Sequence, residues 1–173
     1  MTILLLTGPP ASGKNTIAEL LAKRLERCAA IDVDQIRQMI VQPNSAPWES
    51  KEQLLQEQLA VTNACSLARN FTDAGFDVVI SDVVTDVSLD EYGATLRETT
   101  LKTILLLPTE DEIMGRLLSR PDYLSRGEIT SVYDQQSRFD RYDEKLDNTN
   151  LEPDAVVEWL LQRWDTKSTS QNR

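Results

Sequence analysis

The segment from Ile3 to Leu25 constrains the fold more than any other part of the sequence. A short apolar run, Ile3–Leu6, stops at a Gly/Pro-rich segment, and apolar residues then recur at helical spacing at Ile17, Leu20, Leu21 and Leu25. This pattern predicts a buried strand, a tight loop and a helix in direct succession. A strand that passes through such a loop into a helix is typical of α/β proteins.

Further apolar runs continue this alternation along the chain. Cys28–Ile31 forms a second short apolar run, and Val78–Ile80 and Ile104–Leu107 have the uninterrupted apolar character of strands that are buried on both faces. Leu146–Thr149 predicts a last, short strand. With helices between them, these segments predict a three-layer α/β/α sandwich around a mostly parallel five-stranded sheet. Ligands are then expected at the carboxyl ends of the strands.

Several helices are predicted between these strands. Asp34 is the predicted N-cap of a helix that reaches Val41, and a capping-box pattern of Thr109 and Glu112 opens another helix that runs through Arg120. Ser131–Asp143 and the segment after Pro153 are also predicted to be helical. The long helix before Gly75 has an apolar stripe made of Leu54, Val61, Ala64, Ala68 and Phe71.

Composition excludes several functions. The 173 residues fit one domain, 1–165, followed by a polar tail, 166–173, that is expected to be disordered. Histidine is absent, so a Ser-His-Asp triad cannot form, and Cys28 and Cys65 lack metal-site spacing. The net charge of −10 argues against nucleic acid as a partner. The N-terminus lacks a basic segment and a long apolar run, which predicts a cytoplasmic protein without a membrane span.

The loop after the first strand is the strongest functional signal. Its glycines allow successive amide groups to converge on phosphate oxygens, the positive end of the next helix adds attraction, and a lysine reaches the outer phosphates. This is the Walker A pattern in its expected context, between a strand and a helix. The predicted nucleotide-binding residues here are Gly8, Pro9, Pro10, Ala11, Ser12, Gly13, Lys14, Asn15 and Thr16.

The residue after Lys14 departs from the usual pattern. Ser or Thr normally supplies a hydroxyl to Mg²⁺ at this position, but the chain has Asn15 followed by Thr16. The Asn15 carbonyl oxygen could ligate the metal, or water could do so while Thr16 contacts a phosphate. The string Gly-Lys-Asn-Thr resembles the Gly-Lys-Gly-Thr of adenylate kinases, in which a threonine also comes second after the lysine.

The acidic end of the second strand offers a catalytic base. In a chain without histidine, a carboxylate must accept a hydroxyl proton, and Asp32 and Asp34 follow a strand at the edge where the loop lies. This stretch resembles shikimate kinases, gluconate kinases and chloramphenicol phosphotransferases, which have acidic residues there. Asp34 and Arg37 also resemble the Asp-x-x-Arg of polynucleotide kinases.

The chain therefore resembles the small-molecule type of the P-loop kinase superfamily. The resemblance implies ATP and Mg²⁺ as cofactors, with Asp34 as the base and substrate contact, Asp32 as a metal or structural carboxylate, and Arg37 as a substrate or phosphate contact. A simpler alternative is that Asp34 only caps its helix and pairs with Arg37 at i,i+3 spacing.

Other site residues are predicted with weaker signals. Asp82 follows the third strand like a Walker B carboxylate and would contact metal or substrate, although aspartate also favours turns. Trp48 would stack on the acceptor or cap an apolar cluster. Arg116 and Arg120 resemble the paired arginines at the lid base of adenylate kinases. This resemblance implies nucleotide contacts for both, a γ-phosphate clamp for Arg120, and a small lid at about 121–131.

Further lid and loop residues remain open to two interpretations. Arg126, Arg138 and Arg141 could also bring positive charge to the phosphates, or the arginines could simply pair with surface carboxylates. Tyr123 and Asp86 are secondary candidates.

Three functions follow from these signals. The first is an ATP-dependent kinase whose acceptor is a hydroxyl of a small molecule, with Lys14, Asp34 and Arg120 as the catalytic set. The second is a nucleotide-type kinase with a phosphate acceptor, which the acidic acceptor side disfavours. The third is a nucleotide-binding regulatory module without turnover. The acceptor and the oligomeric state are not fixed by the sequence.

Overall fold

The computed structural model describes residues 1–43, 51–118 and 125–164. Within these ranges strands and helices alternate along the chain. The elements are β1 (Thr2–Thr7), α1 (Lys14–Arg24), β2 (Cys28–Asp32), α2 (Val33–Gln38), α3 (Lys51–Asp73), β3 (Asp77–Ser81), α4 (Asp86–Thr95), β4 (Thr100–Leu106), α5 (Glu110–Leu118), α6 (Arg126–Arg138), β5 (Glu144–Leu146) and α7 (Pro153–Trp164).

The five strands form one parallel sheet in the order β2-β3-β1-β4-β5. Strand β1 lies at its centre, with Leu6 in register with Ser81 of β3 and with Ile104 of β4. Parallel strands place their carboxyl ends at one edge. The loop that leaves β1 therefore opens at the middle of the edge where the predicted site residues lie.

Both faces of the sheet are covered by helices, which explains the unbroken apolar runs. Alternate β1 side chains point to opposite faces. Ile3 and Leu5 pack in the apolar core on the side of α3 and α4, whereas Leu4 and Leu6 pack with α1 and α7. The predicted α/β/α sandwich with a parallel five-stranded sheet is confirmed.

Helix α2 begins earlier than predicted, and its cap is a different residue. The side chain of Asp32 accepts a hydrogen bond from the N–H of Asp34, so Asp32 is the N-cap. The prediction that Asp34 caps the helix was wrong, because the pairing of β2 with β3 extends the strand to Asp32. The helix ends at Gln38, before the predicted Val41.

Other boundaries also differ from the predictions. Helix α6 covers Arg126–Arg138 rather than Ser131–Asp143, because the side chains of Ser125 and Glu128 cap its start. The last strand is Glu144–Leu146, not Leu146–Thr149. On α3, the side chains of Val61, Ala64 and Ala68 are buried as predicted, but Leu54 is 63% and Phe71 37% exposed.

Two further corrections concern the helices beside β4. Helix α4 was not predicted, and it begins at a capping box formed by Thr85 and Ser88. The predicted capping box before α5 is absent from this described segment. The N–H of Thr109 donates to Thr149 Oγ1, and the Glu112 carboxylate instead accepts from Arg116. The described part of α5 ends at Leu118, so its predicted extension to Arg120 lies outside the described residues.

Among the described residues, no helix combines the length and the apolar character that a membrane crossing requires.

Candidate nucleotide-binding and phosphotransfer site

The loop between β1 and α1 takes a backbone path that its glycines make possible. Gly8 and Gly13 have φ angles of 145° and 96°, which residues with side chains rarely adopt. A Cβ at Gly8 would lie 2.1 Å from the backbone oxygen of Leu106 in β4, so the loop packs directly on the neighbouring strand. Ala11 has a φ of 61° without being a glycine, which is a strained backbone state of the kind found at ligand sites.

Lys14 lies at the centre of this loop. Its side chain is buried, and its Nζ donates hydrogen bonds to the backbone oxygens of Gly8 at 2.7 Å and Pro9 at 2.9 Å. Burial lowers the pKa of Lys14 to about 8, against the opposing effect of the negative charges of Asp34, Asp82 and Asp32. The structure therefore brings together the loop lysine and all three predicted carboxylates.

Asn15 connects the loop to the end of β2. Its Nδ2 donates to Asp32 Oδ2 at 2.5 Å, and Gln35 donates to the same oxygen at 3.2 Å. The other oxygen of Asp32 accepts the N–H of Asp34 at 3.0 Å. Asp32 thus joins the first turn of α1 to the first turn of α2. Thr16, also predicted at the metal site, is exposed one position further along α1.

Asp34 lies on the exposed start of α2. Its side chain is 60% exposed and forms an ion pair with Arg37, with 3.1 Å between Oδ1 and the guanidinium. The simpler alternative from the sequence held that Asp34 pairs with Arg37 and caps its helix. The pairing is found, but the cap is Asp32. The ion pair leaves most of the carboxylate open to solvent, and its negative charge acts on Lys14. The role of Asp34 as a base remains a prediction.

Asp82 follows β3 and is partly buried. Its Oδ1 accepts from the N–H of Val83 at 2.8 Å, and its Oδ2 accepts from the hydroxyl of Tyr92 at 2.9 Å. Burial raises the pKa of Asp82 to about 6, and the charge of Asp34 adds to the rise, whereas the Tyr92 hydrogen bond and Lys14 oppose it. Tyr92 was missed in the sequence because it belongs to the unpredicted helix α4.

On the opposite side of the loop, Arg116 and Asn148 hold its backbone. Arg116 Nη1 donates to the oxygen of Ala11 at 3.1 Å, and Nη2 donates to the backbone oxygen of Asn148 at 3.4 Å. The side chain of Asn148 donates to the oxygen of Ser12 at 2.9 Å. Asn148 was missed because the sequence assigned it to a strand. These contacts hold Arg116 against the loop, and its predicted contact with the nucleotide stays a prediction.

Two buried polar atoms in this region, Ser12 Oγ and Asn148 Oδ1, have no hydrogen-bond partner among the described residues. Buried polar groups in folded proteins are nearly always paired. Unpaired atoms at a strained loop are therefore consistent with a site that gains hydrogen-bond partners when a ligand binds.

The remaining candidates are not brought to the loop by any described contact. Arg138 lies 3.9 Å from Asp134 on its own helix, and Arg141 forms ion pairs with Asp86 and Asp90. Surface pairing, the alternative left open by the sequence, is thus found for both arginines. Arg120, Trp48, Tyr123 and positions 121–124 of the predicted lid lie outside the described residues, while Arg126 begins α6.

The oxygen-bearing side chains predicted as metal ligands, Asn15, Thr16, Asp32 and Asp82, have the chemistry that Mg²⁺ prefers. In the described ranges, no group of three or more acidic or cysteine side chains could hold a metal ion by itself. This donor set fits Mg²⁺ of the kind that is bound by one or two carboxylates together with substrate phosphates and water.

Comparisons with known proteins agree with this geometry. The chain resembles a sugar kinase from Janibacter sp. HTCC2649, with a TM-score of 0.73, 19% identity and 95% of each chain covered. It also resembles the Mycobacterium tuberculosis APS kinase solved with AMPPNP and APS, with a TM-score of 0.71, 14% identity, and 95% of this chain and 98% of that chain covered. For shikimate kinase from Aquifex aeolicus the TM-score is 0.65 at 16% identity, with 98% and 99% covered.

No curated protein matches this chain in sequence. The family model described as AAA domain matches residues 4–138, which include the loop, the three carboxylates and Arg116. The chain therefore belongs to this AAA domain family and has the fold of the P-loop small-molecule kinases.

Proposed function

We propose that this protein is an ATP-dependent phosphotransferase that phosphorylates a hydroxyl group of a small molecule. The observation that carries the proposal is the position of Lys14, a buried ammonium inside the loop that feels the charges of Asp32, Asp34 and Asp82. A cation for polyphosphate oxygens and carboxylates for a hydroxyl are the two requirements of phosphoryl transfer to an alcohol.

The phosphates of ATP would bind to the backbone amides of residues 8–16, with Lys14 on the outer phosphates. This requires the Lys14 ammonium to exchange its contacts with the oxygens of Gly8 and Pro9 for phosphate oxygens. The nucleoside would extend toward Arg116, on the side of β4 and β5. Arg120 is proposed from the sequence as the residue that stabilises charge on the transferred group.

The acceptor would bind on the side of β2 and β3. Asp34 orients the hydroxyl and takes its proton while the acceptor oxygen bonds to the γ-phosphorus. The bond between that phosphorus and the β–γ bridging oxygen breaks, and ADP leaves. Asp34 is open to solvent, which suits a residue that must meet a diffusing acceptor. Arg37 and Trp48 would contact the rest of the acceptor.

Asp82, Asp32, Asn15 and Thr16 would hold Mg²⁺, directly or through water. When bound, the ion neutralises charge on the β- and γ-phosphates. Asp82 suits this role because its side chain is fixed by two hydrogen bonds and is influenced by the charge of Lys14.

The proposal is tested by measuring ADP release from ATP and Mg²⁺ across a panel of alcohols, sugars, hydroxy acids and hydroxylated antibiotics. Asp34→Asn should lower acceptor-dependent turnover at least 100-fold and leave ATP affinity within a few-fold, because the amide cannot accept the proton. Lys14→Ala should remove both ATP binding and turnover. Asp140→Asn, at an exposed carboxylate distant in sequence from the loop, is the control.

Two outcomes would favour other functions. Turnover with nucleoside monophosphates alone would indicate a phosphate acceptor, which the negative charges on the acceptor side disfavour. Tight ATP binding without turnover on any acceptor would indicate a regulatory module.

A further inference from the structure

A closed ring of hydrogen bonds lies beneath the candidate site, and none of its members was predicted. Thr7 Oγ1 accepts from the N–H of Val84 at 2.9 Å and donates to Gln136 Oε1 at 3.0 Å. Gln136 Nε2 donates to the oxygen of Val84 at 2.8 Å. The three residues are fully buried. Each polar group in the ring is therefore satisfied within the protein and away from water.

The ring joins three elements that are distant in sequence. Thr7 is the last residue of β1 and directly precedes Gly8, where the phosphate loop begins. Val84 lies two residues after Asp82, and its backbone N–H donates to the side chain of Thr7. Gln136 belongs to α6, which is anchored to the start of α5 by hydrogen bonds from Thr130 to Glu110 and from Tyr133 to the oxygen of Pro108.

The chemistry of the ring makes the arrangement specific. A buried polar network that is fully paired favours one geometry, since any shift leaves a donor or acceptor unpaired in an apolar environment. The surroundings are apolar, because Val84 and Phe139 belong to the core on the α3 side of the sheet. An apolar side chain at position 136 would fill the space without fixing the backbone of Val84.

We propose that Gln136 is a positioning residue for phosphoryl transfer, acting through Thr7 and Val84. It holds the residue that precedes the phosphate loop and the backbone near Asp82 at a fixed separation, and it ties both to α6. The inference rests on the proposed function, in which the loop and Asp82 act on the same triphosphate. A displacement of about 1 Å between such groups can cost on the order of 100-fold in rate.

The test uses Gln136→Met, which keeps the side-chain length without the amide, and Thr7→Val, which replaces the hydroxyl with a methyl. Thr7→Ser restores the hydroxyl. Val132→Ala, a buried apolar site on the same helix, is the matched control for a loss of packing alone. Melting temperature, the dissociation constant of Mg-ATP by calorimetry, and kcat and KM are measured below the melting range of every variant.

We expect Gln136→Met and Thr7→Val each to weaken Mg-ATP binding at least 5-fold and to lower kcat 10- to 100-fold. In the double variant, Mg-ATP affinity and kcat should each be at most about 3-fold lower than in the more impaired single variant, because both substitutions break the same ring. Thr7→Ser should stay within 3-fold of the wild type. Val132→Ala should lower the melting temperature with kcat and the dissociation constant unchanged.

The inference is overturned if Gln136→Met behaves like Val132→Ala, with a lower melting temperature and normal binding and turnover. It is also overturned if the effects of Gln136→Met and Thr7→Val multiply. If no acceptor has been identified, the dissociation constants of Mg-ATP alone decide whether the inference holds. A wild-type protein that binds no nucleotide would instead refute the proposed function, and the inference would fail with it.

Discussion

Replacing Asp82 with asparagine should make the protein more stable at neutral pH. The pKa of Asp82 rises from its ordinary value of 3.8 to about 6 in the folded protein, first because the side chain is buried. The folded state therefore holds a proton between about pH 4 and pH 6 that the unfolded state has lost. Stability must fall as the pH rises through this window, because the unfolded state then binds fewer protons than the folded state.

The magnitude follows from the size of the shift. About two pKa units correspond to roughly 3 kcal/mol at pH 7, at about 1.4 kcal/mol per unit. Asparagine removes the charge. Its side-chain oxygen can still accept from the N–H of Val83, and its NH2 group can donate to the hydroxyl oxygen of Tyr92. We expect a gain of roughly 2–3 kcal/mol at pH 7.5, or about 4–12 °C in melting temperature for a chain of this size. Near pH 4 the gain should vanish.

Thermal unfolding by circular dichroism at pH 4.2, 6.0 and 7.5, with EDTA to remove metal ions, measures this difference. Asp140→Asn at an exposed carboxylate should show no comparable pH-dependent gain. The reasoning is refuted if Asp82→Asn is less stable than the wild type at pH 7.5, or if its gain is equal at pH 4.2 and pH 7.5. If Asp82 also serves the reaction, the stabilised variant should have lost activity, as functional sites often sacrifice stability.

Two further predictions concern the phosphate loop. Gly8→Ala should weaken ATP binding more than 100-fold by calorimetry, because its Cβ would lie 2.1 Å from the backbone oxygen of Leu106 at a φ of 145°; near-normal affinity would contradict this description of the loop. At pH 8.5, ATP binding should take up part of a proton, because bound phosphates raise the lowered pKa of Lys14. Binding enthalpies in two buffers of different ionisation enthalpy should then differ, and equal enthalpies would count against it.

Local signals in the sequence were enough to predict the centre of the site. The loop from Gly8 to Thr16 and the buried strands depend on residue types and spacings within short segments, and the structure has them where they were expected. Asp32 and Asp34 are both good helix caps, so the sequence alone could not choose between them. The choice depends on the register of β2 with β3, which involves residues about fifty positions away.

The supporting residues could not be predicted because their partners are distant in sequence. Asn148 contacts Ser12 across 136 positions, and Gln136 contacts Thr7 across 129. Tyr92 lies on α4, which contains Gly93 and exposes Val87, so its apolar pattern is weak. Buried tyrosine, glutamine and asparagine side chains carry no spacing rule, and their roles become visible only when the fold brings their partners together.

The central position of β1 in the sheet separates two groups of residues around the loop. Three carboxylates lie at or just after the ends of the strands on one flank, β2 and β3, whereas two loop-contacting residues follow β4 and β5 on the other. The carboxylates are Asp32, Asp34 and Asp82, and the loop-contacting residues are Arg116 and Asn148. Under the proposed function, substitutions on the first flank would alter the acceptor side and leave the contacts of Arg116 and Asn148 with the loop in place.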